Sequence, residues 1–149
     1  MLIKELNDYN IELLLPLFDD YRKFYRKKSD LDGAREFLYD RIVKKEAVVF
    51  AAFAGNQMVG FTVLYPLFSS VRMKPIYLLN DLFVTPEARN QAIGKKLILH
   101  AQEYAREKKY AGVMLETEKS NDIGNHLYPS MGFHLESGSN FYFWDNINV

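Results

Sequence analysis

Apolar positions recur at helical spacing early in the chain, at Ile11, Leu14, Leu15, Phe18, Tyr21 and Tyr25, with Asp8 placed to cap the helix they predict. Pro16 falls inside that pattern and lacks an amide hydrogen, so the pattern allows one kinked helix or two short ones. Leu2 to Leu6 reads as a short first strand. Asp30 and Asp32 are candidate caps for a further helix to about Lys44, with Ala34, Phe37, Leu38 and Ile42 as its buried stripe. The apolar, partly β-branched runs Ala47 to Phe53 and Met58 to Tyr65 flank the turn residues Gly55-Asn56, which predicts a hairpin. Pro66 to Pro75 reads as a loop with Leu67, Phe68 and Val71 as its apolar members. Ile76 to Val84 is apolar along most of its length, the mark of a central strand covered on both faces.

The spacing of Ile93, Leu97, Ala101, Tyr104 and the stem of Lys108 predicts a helix to about Lys109, followed by a strand over Gly112 to Thr117. Strand, helix, strand in this order implies a crossover between neighbouring parallel strands. Asn121 to Ser130 reads as a short helix, and Phe133 to Glu136 with Phe141 to Trp144 as a closing hairpin around Ser137-Gly138-Ser139-Asn140. The expected fold class is α/β: one mixed sheet with helices on both faces, in a single domain over residues 1–149.

Composition narrows the function by exclusion. Nineteen Lys and Arg balance nineteen Asp and Glu, which gives no electrostatic drive toward nucleic acid or an anionic membrane. The absence of cysteine removes thiol nucleophiles, disulfides and cysteine-ligated zinc, and the three histidines show no metal-ligand spacing, so no metal is expected. Met1-Leu2-Ile3-Lys4-Glu5 lacks the basic start and long apolar run of a signal peptide, and no apolar segment is long enough to span a bilayer. A cytoplasmic protein without membrane attachment is the expectation.

The chemistry concentrates where the central strand runs into the long helix. Pro86 closes the strand, and Arg89-Asn90-Gln91-Ala92-Ile93-Gly94 enters the helix, where unpaired amides and the positive helix end can hold a diphosphate. Small residues at Ala92 and Gly94 permit close backbone approach, and Arg89, Lys95 and Lys96 add charge. The P-loop pattern and the Gly-x-Gly-x-x-Gly turn of dinucleotide-binding folds are both absent.

The stretch Leu79-Asn80-Asp81-Leu82-Phe83-Val84 through Arg89-Asn90-Gln91-Ala92-Ile93-Gly94-Lys95-Lys96-Leu97 closely resembles the central motif of the GNAT N-acetyltransferase superfamily. Arg89, Ala92 and Gly94 match that family's Arg/Gln-x-x-Gly-x-Gly/Ala, with Ala92 standing in place of the first glycine. Downstream, Asn121 to Phe133 resembles the family's Asn-rich helix followed by Tyr-x-x-x-Gly-Phe. The resemblance implies a GNAT-like, strongly twisted mixed sheet and acetyl-CoA as cofactor. Its pantetheine would run beside Leu82, Phe83 and Val84, between two strands that splay apart. The amides of Gln91, Ala92, Gly94 and Lys95 would hold the diphosphate, with Arg89 supplying charge and Asn121 contributing to cofactor binding or to the split between strands.

For catalysis, the resemblance implies Tyr128 as donor to the departing thiolate. An alkylammonium with a pKa near 10.4 must lose a proton before it attacks, and Asp81, Glu116 and Glu118 are candidate acceptors, directly or through water. Simple strand alternation puts Asn80 and Asp81 on opposite faces. Asn80 stands where similar polyamine acetyltransferases carry Glu, so it cannot be a base and is a candidate for orienting substrate. Tyr21, Tyr25 and Phe68 are candidates to line a pocket for a small-molecule amine, a polyamine-like compound or an amino-acid derivative. Two alternatives remain: a protein N-terminal or lysine acetyltransferase, and a non-catalytic acyl-CoA-binding regulatory module. The aromatics Phe141, Phe143 and Trp144 on a terminal strand predict a homodimer.

Overall fold

Two successive strands explain how one sheet carries helices on both of its faces. In β2 (Val48–Ala54), the side chains of Val49, Ala51 and Phe53 join a core with α1 (Ile11–Phe24) and α2 (Leu31–Val43). Phe50, one residue out of phase, turns the other way and meets His100 and Tyr104 of α3 (Ile93–Glu107) edge-on, at 4.6 and 5.2 Å between ring centroids. On β3 (Gln57–Ser69), Met58, Phe61 and Val63 belong to the first core. Gly60 lies under α3, where an added Cβ would come within 2.9 Å of the Phe83 carbonyl oxygen and 3.3 Å of Ile93. Burying each of Leu14, Leu38 and Phe61, all at most 1% exposed, stabilises the fold by about 1.5–3 kcal/mol.

The computed structural model describes residues 1–149, in which the chain divides into two compact units, Met1–Glu116 and Thr117–Val149. The first unit holds a five-stranded sheet in the order β1-β2-β3-β4-β5, with β1 at Leu2–Glu5, β4 at Lys74–Val84 and β5 at Val113–Met114. The first four strands are antiparallel neighbours, and β5 joins β4 in parallel across α3, as the strand, helix, strand order implies. The α/β architecture expected from the pattern is therefore present. No helix is long and apolar enough to cross a membrane.

Several local expectations are revised. α1 is one helix with Pro16 inside it, preceded by a 3-10 turn over Asp8–Asn10 that is capped by Asn7 rather than by Asp8. Asp30 alone caps α2, accepting from the Gly33 amide. Pro66 to Pro75 is mostly not a loop: β3 and β4 continue as a hairpin that pairs Pro66 with Tyr77 and Phe68 with Pro75. Its prolines are tolerated because β2 pairs with β3 only as far as Leu64, so Pro66 lies on a stretch hydrogen-bonded on one side only. β5 pairs over two residues, Val113 with Tyr77 and Met114 with Leu78, instead of the six from Gly112 to Thr117.

In the second unit, α4 (Asp122–Ser130) is capped by the Asn121 side chain. Asn125 ties the preceding turn down by donating to the carbonyls of Glu118, Lys119 and Asn121 at 2.8–3.2 Å. The closing hairpin is not formed. Phe141, Tyr142, Phe143 and Trp144 are exposed and carry no strand pairing. A two-stranded hairpin without a third strand or a covering surface is marginal at best, which accounts for the difference.

Candidate active site

β4 changes face in its middle. Val63 pairs with Asp81 and the next residue, Leu64, with Leu79, so Asn80 is an extra residue bulged out of the ladder. Before the bulge Tyr77 faces α3, with Tyr104 at 5.9 Å and Tyr110 stacked at 4.2 Å. After it Asp81 and Phe83 face α1, and Tyr21 packs edge-on against Phe83 at 6.3 Å. An uninterrupted strand would have kept Tyr77, Asp81 and Phe83 on one face. The bulge also brings Asn80 and Asp81 together, correcting the expectation that alternation separates them: Asn80 Nδ2 donates to Asp81 Oδ1 at 3.1 Å.

Asp81 is 5% exposed and has no cation beside it. Burial pushes its carboxyl up to about 6, against the opposing pull of hydrogen bonds from the Tyr21 hydroxyl and Asn80. The Tyr21 hydroxyl also lies 3.3 Å from the Asn80 carbonyl oxygen, so α1 is fastened to the bulge through one phenol. Below the carboxyl, Thr62 Oγ1 donates to the Asp81 carbonyl at 2.8 Å and is itself fully buried. Tyr65 adds a second phenol near the carboxylate, pushed up to about 12 by burial first and by the charge of Asp81 next, with Arg41 pulling the other way.

Tyr65 is the residue that sequence reasoning missed. Its signal was period-two alternation with Phe61 and Val63, which puts it on the same inner face of β3. Of the predicted pocket residues, Tyr21 and Tyr25 are together, with ring centroids 5.1 Å apart, and Asn80 joins them through the Tyr21 hydroxyl. Phe68 lies near the hairpin tip, 86% exposed, and makes no ring contact with either tyrosine. Glu116 is exposed and lies two residues beyond the last paired residue of β5.

At the far end of β4 the backbone makes a tight turn into α3. A 3-10 turn over Pro86–Ala88 follows the strand, and Asn90 and Ala92 both adopt left-handed conformations, with φ of 64° and 61°. Ala92 is the N-cap of α3 and supplies no side-chain cap; the first turn of that helix contains no acidic residue. Gly94, Lys95 and Lys96 occupy that turn instead. Cations at the positive end of a helix are unfavourable unless an anion joins them, so this arrangement fits a diphosphate. The Gln91, Ala92, Gly94 and Lys95 amides are the candidate donors. Arg89 Nε donates to the Val84 carbonyl at 3.0 Å and its guanidinium lies 5.8 Å from the centre of the Phe83 ring, so the side chain folds back over the strand end. From Leu79 to Val84, the edge of β4 away from β3 has no strand partner, which leaves Leu82, Phe83 and Val84 beside an open backbone edge.

In the second unit, Asn121 uses Oδ1 to accept from the Gly124 amide and Nδ2 to donate to Thr117 Oγ1, so its side chain is engaged in capping. Tyr128 packs edge-on against Phe133 at 6.0 Å, and Gly124 leaves the space its ring fills: a Cβ there would lie 3.2 Å from Tyr128 Cε2. No cluster of potential metal ligands is present.

Residues 14–133 match the acetyltransferase (GNAT) family. The chain is 41% identical over 138 residues to YhfO of Bacillus subtilis (strain 168), an uncharacterized N-acetyltransferase, with 93% of each chain covered. It is 27% identical over 114 residues to a spermidine N(1)-acetyltransferase of Thermoplasma acidophilum, covering 72% of this chain and 67% of that one. A crystal structure of a probable acetyltransferase superimposes with a TM-score of 0.93 at 34% identity, covering 98% of both chains. The sheet with its bulged fourth strand, the uncapped turn after it and these matches together make the chain a member of the GNAT family, an enzyme of the acyl-CoA-dependent N-acetyltransferase kind.

Proposed function

We propose that the protein transfers an acetyl group from acetyl-CoA to the primary amine of a small molecule, with Asp81 as the proton acceptor. The observation that carries this reading is the buried Asp81 carboxyl under Tyr21, Asn80 and Tyr65, raised to about 6 with no cation beside it. Bound acetyl-CoA supplies the activated thioester. The chain's part on the donor side is to hold its diphosphate on the amides of Gln91, Ala92, Gly94 and Lys95 and to lay Leu82, Phe83 and Val84 along the rest. On the acceptor side an ammonium is drawn to the Asp81 carboxylate, which takes its proton directly or through a water and leaves a free amine. A carboxyl whose pKa lies near neutrality is better matched to that transfer than an exposed one. Tyr21 and Asn80 hold the carboxylate in place, and Tyr21 with Tyr25 forms an aromatic wall for the carbon chain of the acceptor. Tyr128 is the proposed proton donor to the departing sulfur.

The test is acetyl-CoA turnover over a panel of small amines, amino acids and peptide amino termini, with product masses measured. An amine-dependent acetylated product is expected, and no such product from any member overturns the reading. Tyr128→Phe is expected to lower turnover more than cofactor affinity; unchanged turnover removes its assigned role. The exposed Phe141, Phe143 and Trp144, at 72%, 75% and 81%, support a homodimer built through the C-terminal residues. Sedimentation at micromolar concentrations should give twice the chain mass, and a monomer throughout discards this assembly.

A further inference from the structure

We infer that the acceptor is an amine carrying a distal anionic group, and that Lys27 and Lys28 at the end of α1 select it. This rests on the acetyl-transfer reading above and narrows its substrate. α1 leads outward from Asp81 along a row of rings: Tyr21 is fastened to the bulge, Tyr25 packs on Tyr21 at 5.1 Å, and Phe24 packs on Tyr25 at 5.2 Å. The helix then stops. Arg26 takes a left-handed conformation, φ 66°, which turns the chain back across the helix end. The Lys27 amide donates to the Arg22 carbonyl, and Arg22 Nη1 donates to the Lys28 carbonyl, both at 3.0 Å. The two lysines are therefore held just past the C-terminal end of α1, the end at which Phe24 and Tyr25 lie.

The neighbouring acids keep their charge but form no ion pair with either lysine, and from Asp19 to Asp30 five cations stand against three carboxylates. Asp19 accepts from Ser29 Oγ at 2.7 Å and from the Asp30 amide at 3.0 Å, which hold its carboxyl below the usual carboxylate range. Asp19 and Asp20 share Lys23, at 3.4 and 3.6 Å. Asp30 is occupied by the Gly33 amide and Asp32 by Arg35, each at 2.9 Å. Lys27 and Lys28 are both exposed and have no carboxylate from this connection.

The acceptor side thus has a buried negative group at its inner end and positive charge at its outer end. An amine with a carboxylate or phosphate at its other end matches both. A diamine brings a second ammonium to the lysines, where like charges repel. The polycationic acceptor named for one relative, spermidine, has the wrong sign at that end.

Three acceptors of equal chain length test this: an ω-amino acid, the corresponding amino alcohol and the corresponding diamine, each followed by mass of the acetylated product. The expected order of kcat/KM is amino acid, amino alcohol, diamine, with about tenfold between first and last at low salt and less at high salt. The double variant Lys27→Glu, Lys28→Glu should lower the amino acid and raise the diamine, moving the amino alcohol less than either. Equal use of all three acceptors, a diamine preference in the natural chain, or a charge reversal that shifts all three together overturns the inference while leaving acetyl transfer standing. Absence of product from every acceptor overturns both.

Discussion

The two ends of the second half of β4 are built in opposite ways. The turn from Val84 into α3 relies on main-chain amides within one short run, shaped by two left-handed residues. The nook around Asp81 relies on side chains from three elements, and Tyr21 reaches the bulge across 59 residues of sequence. A backbone device should tolerate a change of side chain, such as Ala92 in a glycine position. A side-chain device should not, because each member holds the next. The acceptor side should therefore respond more steeply to single substitutions than the donor side.

Asp81→Asn gives the largest contrast. It keeps the shape of the nook and removes the proposed proton acceptor, so turnover should fall by about 10²-fold or more. In the natural chain activity should rise with pH through about 6 as Asp81 ionises; the variant should lose that limb of the profile. Glu116→Gln should keep it, since Glu116 is exposed outside the nook. Stability should move the other way from activity. Because burial raises the folded-state pKa of Asp81 above its ordinary 3.8, the folded chain binds the proton more tightly than the unfolded one. Its stability therefore falls as pH rises from about 4 to 6 and stays reduced above. Asp81→Asn removes that penalty, raising stability at pH 8 on the order of 2 kcal/mol and leaving it little changed below pH 4. Thermal melts at both pH values would read it, and a variant less stable at pH 8 contradicts the buried-charge account.

A smaller effect is expected one shell outward. Tyr21→Phe preserves the ring packing on Phe61 and Phe83 but removes the hydroxyl that stabilises the Asp81 carboxylate. The carboxyl pKa should then rise further, moving the acidic limb to higher pH. Near neutrality kcat/KM should drop roughly tenfold, as for loss of a hydrogen bond to a charged group. A loss of rate with the limb unmoved would mean that Tyr21 acts by packing alone.

The same contrast explains what was legible in the sequence. The family resemblance carried by Leu79 to Gly94 could be read because those residues are adjacent in the chain. The helices followed from 3.6-residue spacing, and the inner faces of β2 and β3 from alternation. The bulge at Asn80 was not legible, because it exists only through the register of β4 against β3, and with it went the pairing of Asn80 with Asp81 and the place of Tyr65. The hairpin beyond Pro66 was hidden for a related reason: proline argues against a strand until one knows that β2 has already ended. The two-residue β5 and the unpaired Phe133 to Trp144 show the converse, since apolar alternation states what a segment offers and not whether a partner strand accepts it.

The donor turn offers the mildest test. Ala92 sits at φ 61°, where glycine pays no steric penalty and alanine does, so Ala92→Gly relieves strain in the folded chain. Against this, glycine leaves more freedom in the unfolded chain, which takes back part of the gain. The net change should be a stabilisation of about 1 kcal/mol or less, visible as a small rise in melting temperature. Removing the methyl also widens the approach to the Gly94 and Lys95 amides, so CoA should bind a few-fold more tightly with turnover little altered. If Ala92→Gly instead weakens CoA while raising stability, the methyl is a contact and not an obstruction. The backbone device would then depend on a side chain after all, and the distinction between the two ends of β4 would lose its basis.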